Sequence, residues 1–183
     1  MCSRICASKI ELDDLYTKLK ITPCPHCKRV GTLIKHGFLR GYDSDHLNCK
    51  TVRAARVFCS NRNLATGCGR TFSVWMADKV KHCFLSADRL WQFLSNAVSS
   101  RNKLDAFRKL DCGLSLSSTY HIWKRFLNVQ STIRTALARL CEPPQIESDC
   151  PAQLTLAHLQ NAFKSHPLSP IAAFNATLQI FFI

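Results

Sequence analysis

Two cysteine pairs closing a β-prone, glycine-punctuated basic segment, followed by three runs of apolar residues at helical spacing, predict an α+β fold: a small β zinc ribbon, then a mostly α-helical helix-turn-helix bundle. Positive charge concentrated in the middle of the chain supports the same division. The expected parts are an N-terminal helical arm over 1–21, the ribbon over 22–78, a helical bundle over 84–141, and a linker with C-terminal helices over 142–183.

The ribbon rests on Cys24-Pro25-His26-Cys27, whose spacing lets two thiolates turn toward one metal while backbone amides point at the sulfurs. Its second pair, Cys59 and Cys68, encloses a loop wider than the usual two to four residues. Zinc is the expected ion. His26, His36, His46 and Cys49 lie within reach in sequence as substitutes for Cys59 or Cys68, His26 the weakest because a residue between two ligands points away from the metal. A redox role for the first pair would need a helix N-terminus in a βαβ setting, whereas these flanks predict hairpins and loops. Val30 to Gly41 reads as a short hairpin and Val52 to Phe58 as a further strand. So small a unit depends on its metal for much of its folding free energy, roughly 10 kcal/mol or more.

The chain of 183 residues is 46% hydrophobic, enough for a core. Eleven cysteines are an odd number, and with no signal peptide in front of them they indicate a reducing, cytoplasmic setting rather than a disulfide framework. The apolar run Ile171 to Ile183 is broken by Asn175 and Gln179 and is too short to span a bilayer. Net charge is +13, yet residues 20–140 carry 21 Lys and Arg against 6 Asp and Glu, while 1–19 balance and 141–183 sum to -2. A polyanion is the partner such a middle attracts, and nucleic acid comes first.

Ile10, Leu12, Leu15 and Leu19 predict a packing helix in the N-terminal arm, and Cys2 and Cys6 are expected to be free thiols. Ser86 caps a first bundle helix that buries Leu90, Trp91, Leu94, Ala97 and Val98. Lys103 to Leu110 forms a second, left through a turn at Asp111-Cys112-Gly113. Ser117 caps a third, running to about Gln130, that buries Tyr120, Trp123, Phe126 and Leu127 and turns Ser118, His121, Lys124 and Arg125 outward. Helix continues through Ile133, Leu137 and Leu140 until Pro143-Pro144, and two helices divided by Pro167 and Pro170 complete the chain, either covering the bundle or mediating self-association.

Cys24-Pro25-His26-Cys27, Ile34-Lys35-His36-Gly37 and Cys68-Gly69-Arg70-Thr71-Phe72-Ser73 together resemble the N-terminal zinc ribbon of bacterial insertion-sequence transposases and transposon-associated proteins, in which a helix-turn-helix follows. The resemblance covers about two-thirds of the chain and departs from the pattern in the enlarged loop between Cys59 and Cys68. It implies sequence-specific binding to double-stranded DNA by an accessory or regulatory protein, or by a transposase fragment, associated with the nucleoid and accompanied by a second copy or a transposition partner. Ser117, Ser118, His121, Lys124 and Arg125 are the expected DNA contacts, Ser118 and His121 reading bases and the cations holding phosphate. Glu142, Glu147 and Asp149 are the sole acids after Leu140, too few and too late for a two-metal catalytic core, and His82 beside Cys83 makes no catalytic pair, so no enzyme is expected. Rival readings are a protein-docking module with a structural zinc, and a single-strand or RNA binder using Phe38, Tyr42 or Phe58.

Overall fold

The run Ala54 to Cys59 sets up two buried faces, because successive side chains of a strand point to opposite sides. Ala54 joins a large apolar cluster with Ile5, Trp75, Leu90, Phe93 and Phe126, whereas Ala55, Val57 and Cys59 join a smaller one with Leu15, Leu19, Leu33 and Phe72. The structure is a computed structural model describing residues 3–62, 64–100, 102–110 and 115–183. It is a mixed α/β protein with one four-stranded sheet and six helices among the described residues.

In chain order the elements are β1 (Ser3–Cys6), α1 (Lys9–Thr17), β2 (Leu33–Asp43), β3 (His46–Cys59), β4 (Thr71–Met76), α2 (Ala87–Ser99), α3 (Lys103–Arg108), α4 (Ser117–Leu137), α5 (Pro151–Phe163) and α6 (Pro170–Leu178). The sheet runs β1-β4-β3-β2, antiparallel except for β1 beside β4. Helix α1 packs with the smaller cluster, and α2 to α6 share the larger one with the other face of the sheet. Phe93 of α2 meets Phe107 of α3 and Trp123 of α4 edge-on at 5.5 and 6.5 Å, so three helices converge on one ring. No helix among the described residues is long and apolar enough to cross a membrane.

Several expectations change. The N-terminal arm opens on a strand, not a helix, because Arg4 to Cys6 add to the free edge of β4; Ile10 is 81% exposed, and Leu15 anchors α1 instead. Residues 30–41 do not fold back on themselves. They form most of one long strand, with Gly37 at φ 98 in a bulge opposite β3 and the real turn at Ser44-Asp45. Ser117 is the first residue of α4 rather than its cap, and the helix runs unbroken to Leu137. Its buried stripe is Thr119, Ile122, Phe126, Gln130, Ile133, Ala136 and Leu137, while Tyr120 and Leu127 face solvent. Ser86 does cap α2, accepting from the Arg89 amide at 3.5 Å. Leu156, Leu159, Phe163, Ile171 and Phe174 of the C-terminal helices lie inside the large cluster, so these helices complete the core. Cys2 and the Asp111-Cys112-Gly113 turn lie outside the described residues.

Two polar devices close the sheet. Gln179 takes the outer edge of β1, accepting from the Ile5 amide at 2.9 Å and donating to the Ile5 carbonyl at 2.8 Å, which occupies groups another strand could pair with. Near the hairpin turn, Asp43 is fully buried and accepts from the Thr51 hydroxyl at 2.7 Å and the Lys79 ammonium at 3.0 Å. Burial acts to raise the Asp43 carboxyl, but Thr51 and Lys79 outweigh it and hold the group below its usual value. Burial likewise acts to lower Lys79, and Asp78 with Asp43 raises it instead.

The depressed carboxyl stabilises the fold above its unfolded value near pH 4 and loses that contribution as pH falls through the folded value. The raised ammonium stabilises below about pH 10.4 and is lost as pH climbs through its folded value. Lys79→Met removes the cation from the buried carboxylate, which keeps the Thr51 hydroxyl and the Asp45 amide, and is expected to cost about 1.5–3 kcal/mol in urea unfolding at pH 7. That deficit should shrink in acid, where the carboxylate takes up a proton.

Candidate functional site

Four thiols meet at the end of the hairpin away from its turn. Cys24 and Cys27 lie in the loop before β2, Cys59 ends β3, and Cys68 lies just before β4. The first pair closes a tight turn: the Cys24 amide donates to the Arg29 carbonyl at 2.9 Å, and the Lys28 amide donates to the Cys24 carbonyl at 2.8 Å. The second pair closes in the same way, with the Cys59 amide on the Arg70 carbonyl at 2.9 Å and the Gly69 amide on the Cys59 carbonyl at 3.0 Å. In each, the residue after the second cysteine is left-handed, Lys28 at φ 64 and Gly69 at φ 70. The enlarged loop is therefore an insertion into a knuckle whose closure is unchanged.

A neck shuts the insertion off. The Gly67 amide donates to the Ser60 carbonyl at 2.8 Å, and a Cβ on Gly67 would stand 2.1 Å from that oxygen and 2.8 Å from the Cys59 sulfur. Only glycine fits there. Arg29 reaches across from the first knuckle to the Thr66 carbonyl of the insertion.

The sulfurs fit one metal ion. Cys24 and Cys68 are 3.9 Å apart, Cys27 and Cys59 3.7 Å, and all four ligand atoms lie within 4.8 Å of one another. A tetrahedral ion with sulfurs at about 2.3 Å has edges of roughly 3.8 Å. Amides point inward as well, His26 to the Cys24 sulfur at 3.4 Å and Cys68 to the Cys59 sulfur at 3.2 Å, and the buried Thr32 hydroxyl lies 3.2 Å from Cys59. Burial pushes the Cys24 thiol up to about 11. On Cys59 burial acts in the same sense, but the Thr32 hydroxyl and the Cys68 amide bring the thiol down to about 7. One thiolate is thus already accommodated in the protein's own hydrogen bonds.

The alternative ligands sit elsewhere. His26 offers its backbone amide, the His36 ring packs against Phe58 at 5.3 Å, and Cys49 is exposed in the turn half of the hairpin. The His46 side chain lies outside what the structure describes. Thr32 and Gly67 are the site residues that sequence reasoning missed. Gly67-Cys68-Gly69 carried a signal for the second, since paired glycines around a ligand mark a tight turn.

The expected DNA contacts divide. Ser117, His121 and Lys124 are exposed on α4, and Ser118 beside them is half-buried. Together with Tyr120, Leu127, Asn128 and Ser131 they form one outward stripe, and no acid occurs between residues 115 and 141. Arg125 is half-buried at the edge of the set. Its guanidinium donates to the His82 carbonyl at 2.8 Å and the Lys81 carbonyl at 3.3 Å, so it ties α4 to the loop before α2. Among the aromatics considered for single strands, Phe38 and Tyr42 are about half exposed, whereas Phe58 is 9% exposed, with the Arg62 guanidinium 5.6 Å over its ring.

Comparison with family models, with curated proteins and with solved structures gives no match for this chain.

Metal analysis of the purified protein is expected to give one ion per chain, lost in Cys24→Ser and in Cys68→Ser and kept in His36→Ala and Cys49→Ser. Gly67→Ala should lower metal retention as severely as loss of a ligand, since the neck cannot close around a methyl group. Arg125→Ala should lower stability by about 1.5–3 kcal/mol in urea, the usual worth of hydrogen bonds from a charged group.

Proposed function

We propose that this chain binds double-stranded DNA in a sequence-specific manner, with zinc as a structural ion on Cys24, Cys27, Cys59 and Cys68. In this reading it is a transposon-associated accessory or regulatory protein, or a transposase fragment without its catalytic core, and it acts in the cytoplasm on the nucleoid. The observation that carries the reading is the outward stripe of α4, where Ser117, Ser118, His121 and Lys124 stand together on an acid-free helix. Zinc is favoured because four sulfurs at tetrahedral spacing suit it, together with iron, ahead of the oxygen-seeking cations. The ion would hold the two knuckles against each other.

An α-helix fits the B-DNA major groove, about 12 Å wide. Helices α2, α3 and α4 play the parts of a helix-turn-helix in which α4 is the reader, eight residues of sequence separating α3 from α4. His121 and Ser118 then reach base edges, and Lys124, three residues beyond His121, takes a phosphate. The aromatic junction of Phe93, Phe107 and Trp123 fixes the angle of α4, and Lys103 caps the end of α2 by donating to the Ala97 carbonyl at 2.7 Å.

A second reading has one observation in its favour: Leu116, Tyr120 and Leu127 are 40%, 58% and 42% exposed on the same stripe, as a helix docking onto a protein partner requires. Anisotropy of a labelled duplex pool, followed across salt concentration, separates the two. DNA binding predicts affinity that falls steeply with salt, a slope lowered by about 0.9 in Lys124→Ala, and a loss of about 1–3 kcal/mol for the preferred sequence in His121→Ala. Absence of duplex affinity at low salt would refute the DNA reading and leave the protein-docking one.

A further inference from the structure

The turn half of the β2–β3 hairpin has one face engaged and one open. Toward the helices, Arg53 of β3 donates through Nη2 to the Val80 carbonyl at 2.7 Å and the Cys83 carbonyl at 2.6 Å, and through Nη1 to the Tyr42 carbonyl of β2 at 3.2 Å. Arg125 of α4 takes the two carbonyls between, those of Lys81 and His82. The Ser44 amide donates to the Phe84 carbonyl at 3.0 Å, and the Ser44 hydroxyl accepts from the Ser86 amide at 3.0 Å. Gly41 leaves room for this arrangement: a Cβ there would stand 2.9 Å from Cδ of Arg53. The hairpin is thus clamped from behind.

Two irregularities decide what the open face carries. Directly paired residues of neighbouring strands share a face. Lys35 pairs with Val57 and Phe38 with Ala55, so the bulge at His36-Gly37 returns Phe38 to the α1 face, where Ala55 and Val57 are buried. Farther on, Leu39 pairs with Ala54 on the helical face, Arg53 is the extra residue of β3, and Arg40 pairs with Val52. Phe38, Arg40 and Tyr42 therefore stand in one row on β2, with Val52 and Lys50 across from them on β3. Helix α1 packs on the metal half of this face, and beyond it Phe38 is 52%, Tyr42 48% and Val52 37% exposed.

Rings and cations alternate along the row. Arg40 is exposed and makes no hydrogen bond or ion pair among the described residues, and Lys50 has the Tyr42 ring, at 5.7 Å. The hairpin's two acids are engaged elsewhere, Asp43 buried against Lys79 and Asp45 paired with Arg89 at 3.6 Å. Where α1 borders the row, Lys35 lies 4.3 Å over the Tyr16 ring, Asp14 pairs with Lys18 at 2.8 Å, and Asp13 is the acid whose charge reaches Tyr16. Same-face neighbours on a strand stand about 6.6 Å apart. Paired bases of a duplex hide their faces from rings standing on a sheet, whereas an unpaired strand offers one base face after another. Val52 presents carbon opposite Arg40 and gives a ribose 2′-hydroxyl no partner, which favours deoxyribose.

We infer that this row is a binding platform for single-stranded DNA, with Phe38 and Tyr42 stacking on bases and Arg40 and Lys50 holding phosphates. It goes beyond the duplex reading and does not depend on it, since this face is turned away from the loop that Arg53 and Arg125 hold. The clamp behind the hairpin fixes the rings before a strand arrives, which lowers the ordering cost of binding.

The test uses the full metal-loaded chain and a labelled oligo-dT of about 15 nucleotides, a length that a small β module can cover. Anisotropy is followed across salt concentration. Phe38→Ala and Tyr42→Ala are each expected to weaken binding roughly five- to a hundred-fold, while Tyr42→Phe, which keeps the ring, binds as the unaltered chain does. Arg40→Gln/Lys50→Gln should lower the salt slope by about 1.4. Urea unfolding of each variant checks its fold, and the double glutamine variant, which alters two exposed cations, tests the platform even where a ring variant loses stability. Oligo-dT affinity that is absent, or that ring and charge variants leave unmoved, would overturn the platform and leave the duplex reading standing. Tighter binding to oligo-rU than to oligo-dT would overturn its assignment to DNA. Ring-dependent oligo-dT binding without duplex binding would support the platform and remove the duplex reading alone.

Discussion

The convergence of four thiols at one end of the hairpin is the constraint on which the α1 side of the molecule depends. Two of the sulfurs, those of Cys24 and Cys59, belong to the small apolar cluster itself, beside Leu15, Leu19, Leu33, Val57 and Phe72. A cluster this small buries little surface, so bringing the knuckles together and packing α1 on the sheet are one event rather than two. The larger cluster has no such dependence. It draws on five helices and on Ile5, Ala54 and Trp75 of the sheet, and it contains none of the four thiols.

The legible parts of the sequence were those governed by local chemistry. A two-residue cysteine spacing can close only one kind of turn, and the Ser86 hydroxyl before Ala87 caps its helix wherever that helix packs. The second knuckle was harder to read, because the eye counts residues between cysteines while the chain closes through hydrogen bonds. Eight residues stand between Cys59 and Cys68, yet the Cys59 amide and the Gly69 amide find the same relative partners as in the compact knuckle.

The illegible parts were those set by tertiary contacts. Ser3 to Cys6 is too short to announce itself, and it is a strand because β4 offers an edge and Gln179 covers the other side. On α4, aromatic residues were assigned to the core by type, but α3 and α5 decide which stripe is buried, and they select Thr119, Ile122 and Ile133 over Tyr120 and Leu127. Arg125 shows the same limit for function. Its position on the helix fits a phosphate contact, and only the carbonyls of Lys81 and His82 reveal that its guanidinium also ties α4 to the preceding loop.

A single strand connects the two specialised ends. Cys59 closes β3 at the metal, and Arg53 lies six residues earlier on the same strand, roughly 20 Å away at 3.3 Å per residue. Between them the alternation of Ala54 and Ala55 assigns adjacent residues to different cores. Ala54 is held by the large cluster, so disorder entering from the metal end meets, just before Arg53, a residue whose burial does not require the ion. The guanidinium contacts that seat the hairpin tip and α4 are therefore insulated from the metal, although one continuous strand carries both. The ion orders the α1 side, the helical core orders the proposed DNA-facing side, and β3 sets the distance between them.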